Sequence, residues 1–231
     1  MGLCYTPAML SQTPPAAASG LLQQILGAHR AWTATPNSVR IIGTVTRGAT
    51  TETLKITATK QEEALVESGS TKRISTLSTG SQNKDGKVTG LPTLDGFAQL
   101  DATSVFFLSQ LAAKSLTVSA PIPAVMPGGA GQRIHVQGSR SQLHYGRLRV
   151  ADEMDLYVSA EGLLIGVARA FYPNSPQFQF SQAYAFFDYK QTNGVLLPYR
   201  IERYLKGRKV ETITVTSYEF DVPVTPTLFI P

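Results

Sequence analysis

The sequence predicts an α+β protein dominated by one long, strongly curved antiparallel sheet of roughly eleven strands, with two principal helices. Three observations carry that expectation. Residues 177–220 (QFQFSQAYAFFDYKQTNGVLLPYRIERYLKGRKVETITVTSYEF) hold three long runs of aromatic, β-branched or long side chains. The runs alternate at Phe178 and Phe180, at Tyr199, Ile201 and Arg203, and at Thr212, Thr214, Thr216 and Tyr218 against Ile213 and Val215. Two reversals separate them: Asn193-Gly194, whose residues best tolerate the positive φ of a type I′ turn, and Lys206-Gly207-Arg208. The helical patterns fall between groups of strands instead of alternating with them, which argues against parallel βαβ units.

Composition bounds the rest. With 231 residues, 42% hydrophobic and 9% aromatic, the chain can bury a core as one large or two small domains. Charged residues make up 16%, against roughly 25% in ordinary soluble domains, and Thr, Ser, Gln and Gly take their place. A formal charge of +5 raises a nucleic-acid or anionic-membrane reading, but the basic residues are dispersed. Only Lys206, Arg208 and Lys209 cluster, on a hairpin turn where a solvated tip is the ordinary outcome, so no nucleic-acid partner is expected. The single Cys4 excludes an internal disulfide framework and a multi-cysteine metal site. No run reaches the roughly 18 apolar residues of a membrane helix.

Taken in order, residues 1–18 lack the basic n-region of a secretory signal, yet the apolar 3–10 followed by Gln-Thr-Pro-Pro-Ala has the shape of the end of one. They read either as a disordered leader or as a truncated signal-peptide remnant, and one domain is expected over 19–231. Ser19 is the predicted N-cap of a helix over 20–32, with Leu21, Leu22, Ile25, Leu26, His29 and Trp32 on one side. Strands are predicted over 37–47 (Val39, Ile41, Gly43 and Val45 on one face), 51–60, 62–68 and 71–78, a meander. Residues 79–96 carry turn chemistry and read as a loop or short hairpin near Asp85-Gly86. Asp101 caps a second predicted helix over 102–114, with Val105, Phe106, Leu108, Leu111 and Ala112 on its apolar face. The Pro- and Gly-rich 120–132 cannot be a central strand and reads as a linker or lip. Strands resume over 133–138, 143–150, 153–159 and 163–171.

The run FFDYKQTNGVLLPYRIERYLKGRKVETITVTSYEF, preceded by DLYVSAEGLLIGVARAFYP, resembles the C-terminal half of the LolA/LolB-type superfamily of outer-membrane lipoprotein-sorting proteins. The matching pattern is a strand ending in aromatic-x-Asp-Tyr, a Gly turn and an apolar-Pro strand. It falls on Phe186, Asp188, Tyr189, Gly194, Val195 and Pro198. A weaker likeness touches VRIIGTVTR, ESGSTKRI and SVFFLSQLAA. The resemblance implies an unclosed half-barrel with helices on its concave side, and an apolar cavity for the acyl chains of lipid or lipoprotein. It further implies an extracytoplasmic, periplasmic location, a monomer in transient membrane contact, and a membrane-bound donor or acceptor protein.

Candidate cavity residues are Leu22, Ile25 and Trp32 on the first helix, Phe106, Leu108 and Leu111 on the second, and Phe178 and Phe180 on the sheet. For each of them, plain core packing is the competing reading. Arg40 and Arg169 interrupt apolar strands and are expected to pair or to reach the rim.

No enzyme, cofactor or metal is expected. His29, His135 and His144 show no metal-ligand spacing, although His135 and His144 sit on adjacent predicted strands. There is no GxSxG and no P-loop, and Gly128-Gly129-Ala130-Gly131 lies in a proline-rich loop without a following helix. Asp152, Glu153 and Asp155 lack the spacing of a calcium hand and read as a solvated edge. Two functions remain: an acyl-chain carrier or chaperone, and a protein-binding or sensor module of the same fold.

Overall fold

The computed structural model describes residues 16–29, 36–60, 63–76, 80–90, 116–138, 143–145, 148–150, 153–173 and 180–230. Among these described residues sixteen strands, β1 to β16 in chain order, make one sheet. The meander β1 (Ser38–Arg47), β2 (Thr50–Thr59), β3 (Ala64–Ser68), β4 (Thr71–Ser75), β5 (Gly80–Lys84) and β6 (Lys87–Gly90) forms one wing. β7 (Leu116–Val118), β8 (Ile122–Met126), β9 (Gly129–Gly138), the β10–β11 hairpin (Leu143–Tyr145, Leu148–Val150), β12 (Glu153–Val158), β13 (Leu164–Pro173), β14 (Phe180–Thr192), β15 (Val195–Leu205) and β16 (Arg208–Phe220) follow. Every pairing is antiparallel, and β1 joins β16, so the two wings meet where the chain's first and last strands lie side by side. Along the main path the sheet runs from β6 to β7 without closing. Both terminal strands are short, which limits the unpaired backbone they expose.

Sixteen strands replace the roughly eleven expected, for identifiable reasons. Residues 79–96, which read as a loop or short hairpin near Asp85-Gly86, hold the hairpin β5–β6, with both turn residues at positive φ. The Pro-rich 120–132 is no linker: β8 pairs β9 from Ile122↔Arg133 to Met126↔Gly129. Pro123 is tolerated because β8 pairs on one side only. The single strand expected over 143–150 is the β10–β11 hairpin. The other expected strands are present within two or three residues, except β9, which begins four residues before the expected 133, and Asn193 and Gly194 have the positive φ of the predicted type I′ turn.

The helix α1 spans Ala16–Ala28, so Ser19 lies inside it and is not its cap. Residues 30–35, with Trp32, and the second predicted helix lie outside the described residues. A short 3-10 turn, Pro226–Phe229, buries Phe229 near β3.

The core gathers the inward rows of both wings: Val39, Ile41 and Val45 of β1, Leu54 and Ile56 of β2, Ile134 and Val136 of β9, Leu156 and Val158 of β12, Ile201 of β15, and Ile213 and Val215 of β16. Burying each such side chain contributes roughly 1.5–3 kcal/mol. The registers β1/β16, β12/β13 and β15/β16 shift at Ile42/Gly43, Tyr157/Val158 and Arg203/Tyr204. Such bulges add twist and bend a strand, which gives this sheet its curvature. At the first of them a Cβ on Gly43 would lie inside the Thr214 carbonyl, so only glycine permits the close approach.

Candidate functional site

The concave face divides into a clamped end, an apolar middle and a polar end. α1 covers the middle. Its stripe of Leu21, Leu22, Ile25 and Leu26 packs on the core, with Leu21 and Ile25 buried and Leu22 and Leu26 half-covered. Leu22 and Ile25, both predicted to line a cavity, therefore lie on the concave side; Ile25 is fully enclosed. Phe180 opens β14 opposite Phe171, and its side chain lies outside the described residues. So do Trp32, Phe106, Leu108, Leu111 and Phe178.

His29, just past α1, makes the clamp. Its Nδ1 lies 2.8 Å from the Leu196 carbonyl, and its Nε2 accepts from the Leu164 amide at 2.9 Å. Since the amide can only donate, Nε2 must be bare and Nδ1 carries the proton: a neutral ring in one fixed tautomer. Burial holds the pKa of His29 below 6.5, partly opposed by the Leu196 hydrogen bond. The Leu196 amide returns a hydrogen bond to the His29 carbonyl, and the ring meets Tyr189 edge-on at 5.3 Å. The Tyr189 hydroxyl donates to the Leu164 carbonyl, and burial raises its pKa well above 10. Next to it Asp188 takes φ +56 within β14. This kink lets Phe186 and Tyr189, three residues apart, pack on the same core, which regular alternation forbids. The turn before β13 also rests on α1: a Cβ on Gly162 would meet Gln24 Cγ at 2.7 Å.

At the other end the inward rows turn polar. Arg47 follows Val45 on β1, Glu211 precedes Ile213 on β16, and Arg203 follows Ile201 on β15. The Glu211 side chain is 2% exposed and accepts from Arg47 Nε at 3.0 Å, with Arg203 Nε 2.9 Å from its other oxygen. Arg47 also reaches Glu52 (3.3 Å) and Ser68 (3.3 Å), while Arg73 donates to Gln82 at 3.0 Å. Arg47, Val66, Ser68, Thr71 and Arg73 line a recess of about 260 Å³ that opens to solvent. The convex face carries exposed ion pairs, Arg40–Glu219 at 3.1 Å and Lys55–Glu67 among them, each worth about 0–1 kcal/mol.

Arg40 is thus paired, as expected, while the side chain of Arg169 lies outside the described residues. His135 and His144 do not lie on paired strands, since β9 pairs β7, β8 and β12 whereas β10 pairs β11. His135 instead meets Asp155 at 3.0 Å. Asp155 sits on β12, between β9 and β13, and is no edge residue. The polar end was missed although Arg47, Arg73 and Arg203 fall inside predicted strands, because which face of the sheet each charge occupies depends on cross-strand register. A charge at inward parity is the signal that would have found it.

No family model matches the sequence, and neither does any curated protein. Among solved structures, the chain is similar to a DUF1329 family protein from Desulfovibrio piger, with TM-score 0.55 and 10% identity over 94% of this chain and 98% of that one. It is similar also to a LolA superfamily protein from Nitrosomonas europaea, with TM-score 0.54 and 8% identity over 94% and 99%. These likenesses show the fold: an unclosed, curved antiparallel sheet of the LolA type, as the resemblance implied.

Proposed function

We propose that the protein is a non-enzymatic, extracytoplasmic carrier or chaperone that holds the acyl chains of a lipid or lipoprotein against its concave face. The observation that carries this reading is the concave apolar face, drawn from both wings of the sheet, on which the 13-residue helix α1 lies. Half-covered Leu22, Leu26, Tyr199 and Phe220 border that core. Each acyl methylene they shelter from water contributes about 0.8 kcal/mol, so hydrocarbon binds there without polar recognition. The LolA-type fold supports the same reading, with a periplasmic site of action and a membrane-bound donor or acceptor.

The test is mass spectrometry of lipid extracted from the purified protein, followed by titration of the delipidated protein with a fluorescent fatty acid. Co-purified lipid and saturable uptake are expected, and Phe106→Asp should abolish uptake because burying a carboxylate among apolar groups costs several kcal/mol. Absence of both lipid and uptake refutes the carrier. The second reading, a protein-binding or sensor module, draws on β6, a sheet-edge strand whose four residues are all exposed and which offers its backbone to a partner strand.

A further inference from the structure

The polar recess has a composition that points to one class of ligand. Its place on the concave side follows from strand register: Val66 belongs to the core, Arg73 is its direct cross-strand partner, and Thr71 is the partner of Ser68. Directly opposed residues of an antiparallel pair share a face. Arg47 continues the inward row of Val39, Ile41 and Val45. Among the described residues that line it, two bring guanidinium groups, two bring hydroxyls and one is apolar. Glu211, almost wholly buried, and Glu52 grip Arg47 and fix its direction, and the Ser68 hydroxyl donates to Glu52 at 2.8 Å. Ion clusters at inward positions are expensive to desolvate, and apolar side chains of similar volume commonly serve stability as well or better. The recess opens to solvent, so a head group can reach its donors from outside.

We propose that this recess is an anion subsite that takes the singly charged oxyanion head of an acyl-chain ligand, as a phosphodiester carries, while the chains lie along the apolar face that begins at Val66. The assignment of chains to that face rests on the carrier reading above. The head accepts hydrogen bonds from the Arg47 and Arg73 guanidiniums and the Thr71 hydroxyl, in the forked geometry that arginine offers to paired oxygens.

The experiment measures displacement of a neutral fluorescent acyl probe from delipidated protein by three competitors: phosphatidylglycerol, oleate and uncharged diacylglycerol. Inorganic phosphate binding is followed separately by calorimetry. Wild-type protein should prefer phosphatidylglycerol to diacylglycerol by about tenfold or more. Arg73→Gln and Thr71→Val should each lower that preference while leaving diacylglycerol affinity unchanged. Arg40→Gln, which alters an outward-facing residue, should change neither. Oleate following phosphatidylglycerol widens the head to carboxylates within the same subsite. If no lipid is taken up but phosphate binds wild type and not Arg73→Gln, the carrier reading fails and the subsite stands for a free anion. Equal wild-type affinity for charged and uncharged lipid overturns the subsite, as does an equal loss of both in folded Arg73→Gln and Thr71→Val. Failure of wild type to bind both lipid and phosphate overturns it too.

Discussion

His29→Ala tests how the helix is held over the concave face. The substitution leaves the Leu164 amide without its acceptor in a buried position, which costs roughly 1–3 kcal/mol, and removes an edge-on contact with Tyr189 worth about 0.5–1.5 kcal/mol. The expected loss is therefore about 2–4 kcal/mol, or a fall in Tm of roughly 10 °C for a chain of this size. It should depend on pH in a definite direction. The folded state keeps the ring neutral and its pKa below 6.5, so as pH falls below that value the unfolded chain takes up a proton that the native chain refuses. The stability that His29 contributes is complete above pH 6.5 and declines below it, by at most about 1.4 kcal/mol per pH unit. Urea unfolding of wild type and variant, at about pH 7.5 and again at about pH 5.5, isolates this group, because every other titration is common to both proteins. The variant's deficit should shrink at the lower pH. A deficit below about 1 kcal/mol, or one that does not change with pH, refutes the account of the clamp.

Gly43→Ala should destabilise by more than about 3 kcal/mol, because its Cβ overlaps the Thr214 carbonyl at a bulge between the two central strands; the urea midpoint reports it. Gly194→Ala should cost about 1–2 kcal/mol through its φ of +83, with near-native far-UV circular dichroism, since nothing else lies within 4 Å of the added methyl. Ile25→Ala removes a fully buried side chain from α1 and should cost about 2–5 kcal/mol in thermal unfolding. Protection from hydrogen exchange should fall in α1 before it falls in β1 and β16.

How much was legible depended on how local each signal was. The hairpin at Asn193-Gly194, the meander from β1 to β4 and the three long C-terminal strands are written in turn residues and two-residue alternation, both properties of neighbours in the chain. Gly- and Pro-rich segments are ambiguous, because the residues that make turns also populate strands: 79–96 reads as a loop or a short hairpin and is the hairpin β5–β6, while β8 lies in a segment that reads as a linker or lip. The candidate site was half visible. Leu22 and Ile25 announce an apolar helix face, whereas Arg47, Arg73 and Glu211 look like ordinary solvated strand charges until register sets them on the inner side.

The amino-acid order by itself determined a long antiparallel sheet, the positions of most of its reversals, and the apolar row of its regular strands, since φ preference and alternation act over two to four residues. Tertiary structure alone decided that β1 lies against β16, that His29 locks to Leu164 and Leu196, and that Arg47 and Arg203 converge on Glu211. Those contacts join residues more than a hundred positions apart, except that of Arg203 with its hairpin neighbour Glu211. Their geometry comes from the bulges and bends that curve the sheet, and no run of sequence read in isolation fixes how far a sheet will curve.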